Sequence, residues 1–166
     1  HAAPLPVHPP GALLRCDSAL VGVLVTPDGR HLIALCPIAE GTTLFSLSGR
    51  EIPAPTRYSV QVGPSLHLDQ DCARDITDVV HRYFWRYLDH ACDPAVIIRD
   101  REVIAVRDIA PGDRVTFNYN TTEYDMAESF RCHCGSARCV GVVRGARHLT
   151  RAQRARLAPW LADYLR

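Results

Sequence analysis

The run Cys132-His133-Cys134-Gly135-Ser136-Ala137-Arg138-Cys139 constrains this chain more than any other segment. Three thiols at Cys-x-Cys-x4-Cys spacing can wrap one tetrahedral zinc ion. Gly135 permits the tight return that such wrapping needs. A lone thiol often packs as a small hydrophobe, but three this close in sequence are poorly explained by packing. A structural site needs a fourth ligand. The local candidates are His133 and His148, and the distant ones are Cys16, Cys36, Cys72 and Cys92. The cysteine total is 7, an odd number, and no basic region followed by a long apolar run opens the chain. A metal site in a reducing compartment is therefore expected rather than a disulfide framework. Metal binding at such a site contributes on the order of 10 kcal/mol to folding of its segment.

The rest of the composition narrows the classes further. A length of 166 residues suits one domain, and 47% apolar with 22% charged residues is ordinary globular usage. Disordered, collagenous and coiled-coil chains are excluded on those figures. Apolar runs are too short to span a bilayer, so no membrane partner is expected. A net charge of +1 argues against direct nucleic-acid binding, which draws its affinity from neutralising phosphates. All 19 basic residues are arginine, which fits a GC-rich, bacterial coding sequence. The expected location is the bacterial cytoplasm, or a host cell into which the protein is translocated. Arg144, Arg147, Arg151, Arg154 and Arg156 form a local basic stretch that reads as a solvated helix face.

The apolar pattern predicts a mostly β domain. Strands are expected over Ala19–Thr26, Leu32–Leu35, Thr42–Leu47, Arg57–Val62 and Val115–Tyr119, with a hairpin joining Val96–Ile98 to Val103–Val106. Asp75–Tyr87 has helical spacing, and Trp85 is expected in the core. Thr150 and Gln153 form a capping box for a C-terminal helix, and Pro159 should divide that region into two short helices, sitting near the first turn of the second. The expected organisation is a flexible lead-in over 1–15, a main domain over 16–125, a zinc module over 126–145 and a helical tail over 146–166 packed on the domain.

Several segments, in order, resemble one family. Leu88-Asp89-His90-Ala91-Cys92-Asp93-Pro94-Ala95 resembles the Asn-His-Ser-Cys-x-Pro-Asn signature of SET-domain lysine methyltransferases. Gly112-Asp113-Arg114-Val115-Thr116-Phe117-Asn118-Tyr119 is similar to the family's Gly-Glu-Glu-Leu-Thr-Phe-Asp-Tyr, and the cysteine cluster is similar to its post-SET module. Upstream, Asp28-Gly29-Arg30-His31 resembles the opening Gly-x-Gly segment. The resemblance implies small β-sheets in which the segments 89–92 and 116–119 form a pseudoknot. It implies S-adenosylmethionine as methyl donor, and one structural zinc held by Cys92, Cys132, Cys134 and Cys139. Tyr119 corresponds to the family's catalytic tyrosine, and Tyr58 to a second tyrosine lining the cofactor and methyl region. Arg30, His31, Asp89 and His90 fall at donor-binding positions, and Phe130 at the aromatic packed on the adenine. Tyr124 falls near the channel position that limits the number of methyls added.

The implied activity is methylation of a lysine side chain in a protein or peptide. At pH 7.4 only about 0.1% of a lysine amine is neutral, a deficit of roughly 4 kcal/mol that the site must offset. An apolar channel and an adjacent sulfonium both disfavour the ammonium. The chain departs from the family pattern at three places. His31 replaces a glycine, Asp89 replaces an asparagine whose amide helps hold the donor, and Ala95 replaces the last asparagine. An ionised aspartate cannot donate a hydrogen bond, but it could attract the donor's ammonium or sulfonium. These departures sustain two other readings: methylation of a small or carrier-tethered amine, and a non-catalytic zinc module that binds a protein partner.

Overall fold

The computed structural model describes residues 8–166; residues 1–7 of the expected lead-in lie outside the described residues. The fold is a set of small sheets. The first sheet is an antiparallel meander of β1 (Leu13–Arg15), β2 (Val21–Thr26) and β3 (Gly29–Ala34). β4 (Thr43–Ser46) pairs later in the chain with a hairpin. β5 (Arg50–Ile52), β6 (Val60–Gly63) and β7 (Leu66–Asp69) form a second sheet in the order β5-β7-β6. Helix α1 (Ile76–Arg82) leads into a 3-10 turn over Phe84–Tyr87 and the short strand β8 (Asp89–His90). The hairpin β9 (Val96–Arg99) and β10 (Glu102–Ala105) completes the third sheet, β4-β10-β9. β11 (Thr116–Phe117) pairs with β8, β12 (Phe130–Arg131) pairs with β13 (Val142–Val143), and α2 (Arg151–Leu157) closes the order.

The β-branched runs explain the core. Val21, Val23, Leu32, Leu68, Val96, Val103 and Val115 are fully buried, one face of each strand pointing inward. Trp85 joins them as expected, and its indole N–H donates to Ser48 O at 2.8 Å. The β9–β10 hairpin turns through Asp100 and Arg101, both at positive φ (48° and 68°), the backbone of a two-residue hairpin turn.

Some expected boundaries shift, each for a local reason. Leu13–Arg15, placed in the lead-in, is instead an edge strand on β2. Arg57 and Tyr58 are not strand: Thr56 N–H donates to Ser59 Oγ at 2.8 Å, closing a turn before β6. The long helix expected to Tyr87 ends at Arg82, capped at its start by Asp75, and continues as 3-10. The strand expected to Tyr119 stops at Phe117. There Asn118 takes the amide of Asn120 on its side-chain oxygen at 3.0 Å, and the chain enters a 3-10 turn over Tyr119–Thr121. The Thr150 capping box forms as read. Pro159 does interrupt the tail, but the next turn starts only at Asp163.

The tail is fastened to the site-bearing segment. Ala162 N–H donates to Thr121 O at 2.8 Å, and the Tyr164 hydroxyl donates to Gln61 O and Thr122 O at 2.8 and 2.9 Å. Arg99 donates to Leu161 O and Pro159 O, both at 2.8 Å. Gly145, at φ 114°, presses against the same segment, and a Cβ there would stand 2.6 Å from Tyr124 O. Gly145→Ala is therefore expected to destabilise the protein by about 2 kcal/mol through strain and steric conflict, read as a lowered urea midpoint; an unchanged midpoint would contradict this packing.

Candidate functional site

The centre of the site is a parallel contact between two short strands. Thr116 lies opposite Asp89 and Phe117 opposite His90. Ala91 N–H donates to Phe117 O at 3.1 Å and Ala95 N–H to Thr116 O at 3.0 Å. The Asn118 side-chain amide donates to Cys92 O at 3.3 Å, a bond an ionised aspartate could not supply. Two segments far apart in sequence are thus threaded together, as the resemblance implied.

His90 ties this knot to its surroundings. Its Nδ1 accepts from Tyr119 N–H at 3.1 Å, which places the ring proton on Nε2, 3.4 Å from Cys92 Sγ. Burial pushes its pKa down to about 4, so the ring is neutral near pH 7. Tyr119 and Phe130 both meet the His90 ring edge-on, with centroids 5.3 and 5.7 Å away. The structure therefore brings His90, Tyr119 and Phe130 into one aromatic cluster.

Tyr119 lines a small cleft of about 80 Å³ with Tyr58, Leu88, Phe117 and Glu123. Its hydroxyl donates to Leu88 O at 2.5 Å. Burial, then the charges of Asp89 and Glu123, push its pKa far up, so it stays protonated near neutral pH. Tyr58 stands at the exposed rim, under the Arg86 guanidinium at 4.0 Å from its ring centroid.

Tyr124 does not join them. It is 52% exposed and lines a separate hollow with Pro53, Gln61 and His67. Where Tyr124 was expected near the channel, the 3-10 turn after Asn118 brings the preceding residue, Glu123, to the cleft. The reading of Val115–Tyr119 as continuous strand hid this, because only a helical turn carries the fourth residue after Tyr119 back beside it. The Glu123 N–H donates to Tyr119 O at 2.9 Å, closing that turn.

At the positions that the resemblance assigns to the donor, the two departures from the family pattern meet each other. His31 Nδ1 lies 2.7 Å from Asp89 Oδ2, and its Nε2 lies 3.0 Å from Thr26 Oγ1. Arg114 approaches the same carboxylate at 4.0 Å. Asp89 is thus partnered within the protein. Arg30 Nε and the Tyr87 hydroxyl are both buried without a hydrogen-bond partner. Burial raises the Tyr87 pKa, opposed by the nearby Arg86 and Arg30 cations. The Arg30 guanidinium and the Tyr87 hydroxyl lie side by side, and the carboxylate end of S-adenosylmethionine fits the chemistry of such a donor pair.

The four sulfurs of Cys92, Cys132, Cys134 and Cys139 lie within 4.8 Å of one another, the only such ligand group among the described residues. Tetrahedral zinc with sulfur at about 2.3 Å needs a cage of this size. The local histidines are not part of it: His133 is exposed, and His148 pairs with Asp125 at 2.9 Å. Burial pushes the Cys92 thiol up, whereas backbone and thiol hydrogen bonds outweigh burial at Cys134 and bring it to about 7. Cys92 is contributed by the knot and the others by the β12–β13 hairpin. The arginine stretch is partly used internally: Arg147 pairs with Asp125 at 3.1 Å, and Arg154 bonds the Leu165 carbonyl. No helix among the described residues is long and apolar enough to cross a membrane.

Comparison with known proteins agrees with this geometry. The SET-domain family model matches residues 29–120, so this chain belongs to the SET-domain family. Methyltransferase flvH of Aspergillus flavus is 34% identical over 148 residues, covering 84% of this chain and 75% of that protein. A histone-lysine N-methyltransferase, H3 lysine-36 specific, from Chaetomium globosum is 32% identical over 81 residues. That match covers 44% of this chain and 9% of that enzyme. Both sources are fungal. Among solved structures, KRYPTONITE in complex with mCHG DNA and SAH aligns with TM-score 0.58 at 16% identity, over 78% of this chain and 30% of that one. The methyltransferase domain of human SETMAR aligns with TM-score 0.54 at 15% identity, over 79% of this chain and 61% of that one. These likenesses fix the fold.

The cage makes a direct prediction. The purified protein should hold one zinc per chain, and Cys134→Ser should lose it. Because metal binding at such a cage contributes on the order of 10 kcal/mol locally, hydrogen exchange across 126–145 should rise to near-unprotected rates after chelation while β2, β3 and β10 stay protected. Unchanged protection would show that the hairpin needs no metal.

Proposed function

We propose that the protein transfers a methyl group from S-adenosylmethionine to a lysine side-chain amine in a protein or peptide. The observation that carries this reading is the protonated Tyr119 hydroxyl, held at the floor of a cleft walled by Leu88 and Phe117 and joined to the donor-side residues through His90. S-adenosylmethionine bound there would supply an electrophilic methyl group on a sulfonium.

The protein's own work is positioning. Leu88 and Phe117 exclude water from the amine's path and disfavour its charged form. The Tyr119 hydroxyl and the Leu88 carbonyl it bonds present a fixed polar edge against which the nitrogen is oriented. Arg30 and the Tyr87 hydroxyl would meet the donor's carboxylate, and Phe130 would pack against its adenine. One zinc in the four-cysteine cage would hold Phe130 and its hairpin over the knot.

A second substrate class is supported by one fact. The match that spans most of this chain is to a methyltransferase whose name specifies no histone, whereas the H3 lysine-36 enzyme matches less than half of it. A small amine therefore belongs in the same test.

Zinc-loaded protein with S-adenosylmethionine should methylate at least one member of a panel containing a histone H3 N-terminal peptide, a lysine peptide library, free lysine and n-butylamine, read by mass spectrometry. Tyr119→Phe should lower kcat by about 100-fold, the scale expected when an orienting contact at the reacting atoms is lost, with the donor's Kd within about threefold, less than 1 kcal/mol. No methylation of any member would reject the transferase reading, and an unaltered kcat in Tyr119→Phe would remove that hydroxyl from the chemistry.

A further inference from the structure

The cleft contains a charged group that a purely apolar amine channel would not need. Glu123 is 6% exposed and lines the cleft with Tyr119, Leu88 and Phe117. Its Oε2 accepts from Gln61 N–H at 2.9 Å and from Thr122 Oγ1 at 2.7 Å. Among the described residues, Oε1 receives no hydrogen bond. The carboxylate is therefore fixed on one side by β6 and its own turn, with the other oxygen left for something entering the cleft. Its position is secured from behind, because the tail bonds the carbonyls of Thr121, Thr122 and Gln61.

We propose that Glu123 accepts a hydrogen bond from the substrate's amino group through Oε1 and takes the proton that the ammonium must lose before methyl transfer. The inference rests on the transferase reading above. An N–H bond of the ammonium breaks and an O–H bond forms on Glu123. The nitrogen lone pair then forms the bond to the methyl carbon, and the carbon–sulfur bond breaks with its electrons going to the sulfonium sulfur. The proton leaves Glu123 to solvent when product departs.

The surroundings suit the role. Burial pushes the Glu123 carboxyl up to about 7, against the two hydrogen bonds that favour its ionised form. The phenols facing it are Tyr119 and Tyr164, both held protonated by burial. Arg57, Arg86 and Glu128 stand farther out in the same cleft, with Arg57 and Glu128 paired at 3.1 Å. A folded-state pKa above the ordinary carboxyl value means that stability falls as pH rises through 4.5 towards 7. The protein thus keeps a group that destabilises it at neutral pH, which is expected of a functional residue.

The test compares wild type with Glu123→Gln, whose amide oxygen can still accept from Gln61 and Thr122. With the amine that the wild type methylates, wild-type kcat/KM should stay level from about pH 8 to pH 9.5, because the enzyme binds the ammonium and removes its proton. In Glu123→Gln only the neutral amine reacts, so kcat/KM should rise by about 30-fold over that interval. The variant's melting temperature should be no lower than wild type above pH 7. A measurement independent of any variant uses wild type with zinc and S-adenosylhomocysteine, carrying 13C-labelled glutamate. Saturating n-butylamine should move the Glu123 carboxyl titration down by about one pH unit, as a neighbouring ammonium favours the carboxylate. Matching pH profiles in the two proteins, or a titration unmoved by n-butylamine, would overturn the inference and leave the transferase reading standing. Failure of the wild type to methylate any amine would overturn both.

Discussion

The parallel contact of β8 with β11 is the interaction on which the rest of the site depends. It is only two residues long in each strand, yet it brings Asp89, His90 and Cys92 beside Thr116, Asn118 and Tyr119. A contact so short cannot persist on its own ladder energy, because a few backbone hydrogen bonds each contribute only about 1 kcal/mol net. It is held by what surrounds it. Val96, Val103 and Val115 are buried in the same core cluster as its neighbours Leu88 and Phe117, Asn118 bonds across it, and the thiol cage lies at its end. The Asp89 side and the cleft side are thus parts of one knot, within which His90 bonds the backbone of Tyr119.

The two departures from the family pattern take on a different meaning in three dimensions. Read along the chain, His31 and Asp89 look like separate losses, one of a glycine and one of an amide. In space they form a single pair at 2.7 Å, with Thr26 completing the histidine's bonding. The aspartate's charge is met by protein groups, so the donor's cation is not its sole counter-charge. The Arg30 Nε and the Tyr87 hydroxyl are buried polar groups with no hydrogen-bond partner among the described residues.

What was legible in the sequence follows from where the information resides. The cysteine cage was legible because metal chemistry is carried by side-chain type and local spacing, and because the resemblance supplied Cys92 from 40 residues earlier. The β9–β10 hairpin was legible because its two apolar runs flank a short polar turn. Glu123 was not, because its function arises from a single 3-10 turn that Asn118 initiates by competing for a backbone amide. The same turn leaves Tyr124 lining a different hollow from Tyr119. Tyr87 and Arg30 show a similar limit: burial without a partner is a property of packing, and no local pattern announces it. The arginine-only basic residues suggested a bacterial coding sequence, whereas the relatives compared above include fungal proteins.

The proposed function requires the knot and the metal-held hairpin together to build one donor site. Calorimetric titration of the zinc-loaded protein with S-adenosylmethionine tests it most directly. The expected result is saturable binding of one donor per chain, lost or greatly weakened after zinc is removed. Absence of binding up to millimolar donor, with zinc bound and the protein folded, would contradict it. Donor affinity indifferent to zinc would contradict the part assigned to the hairpin.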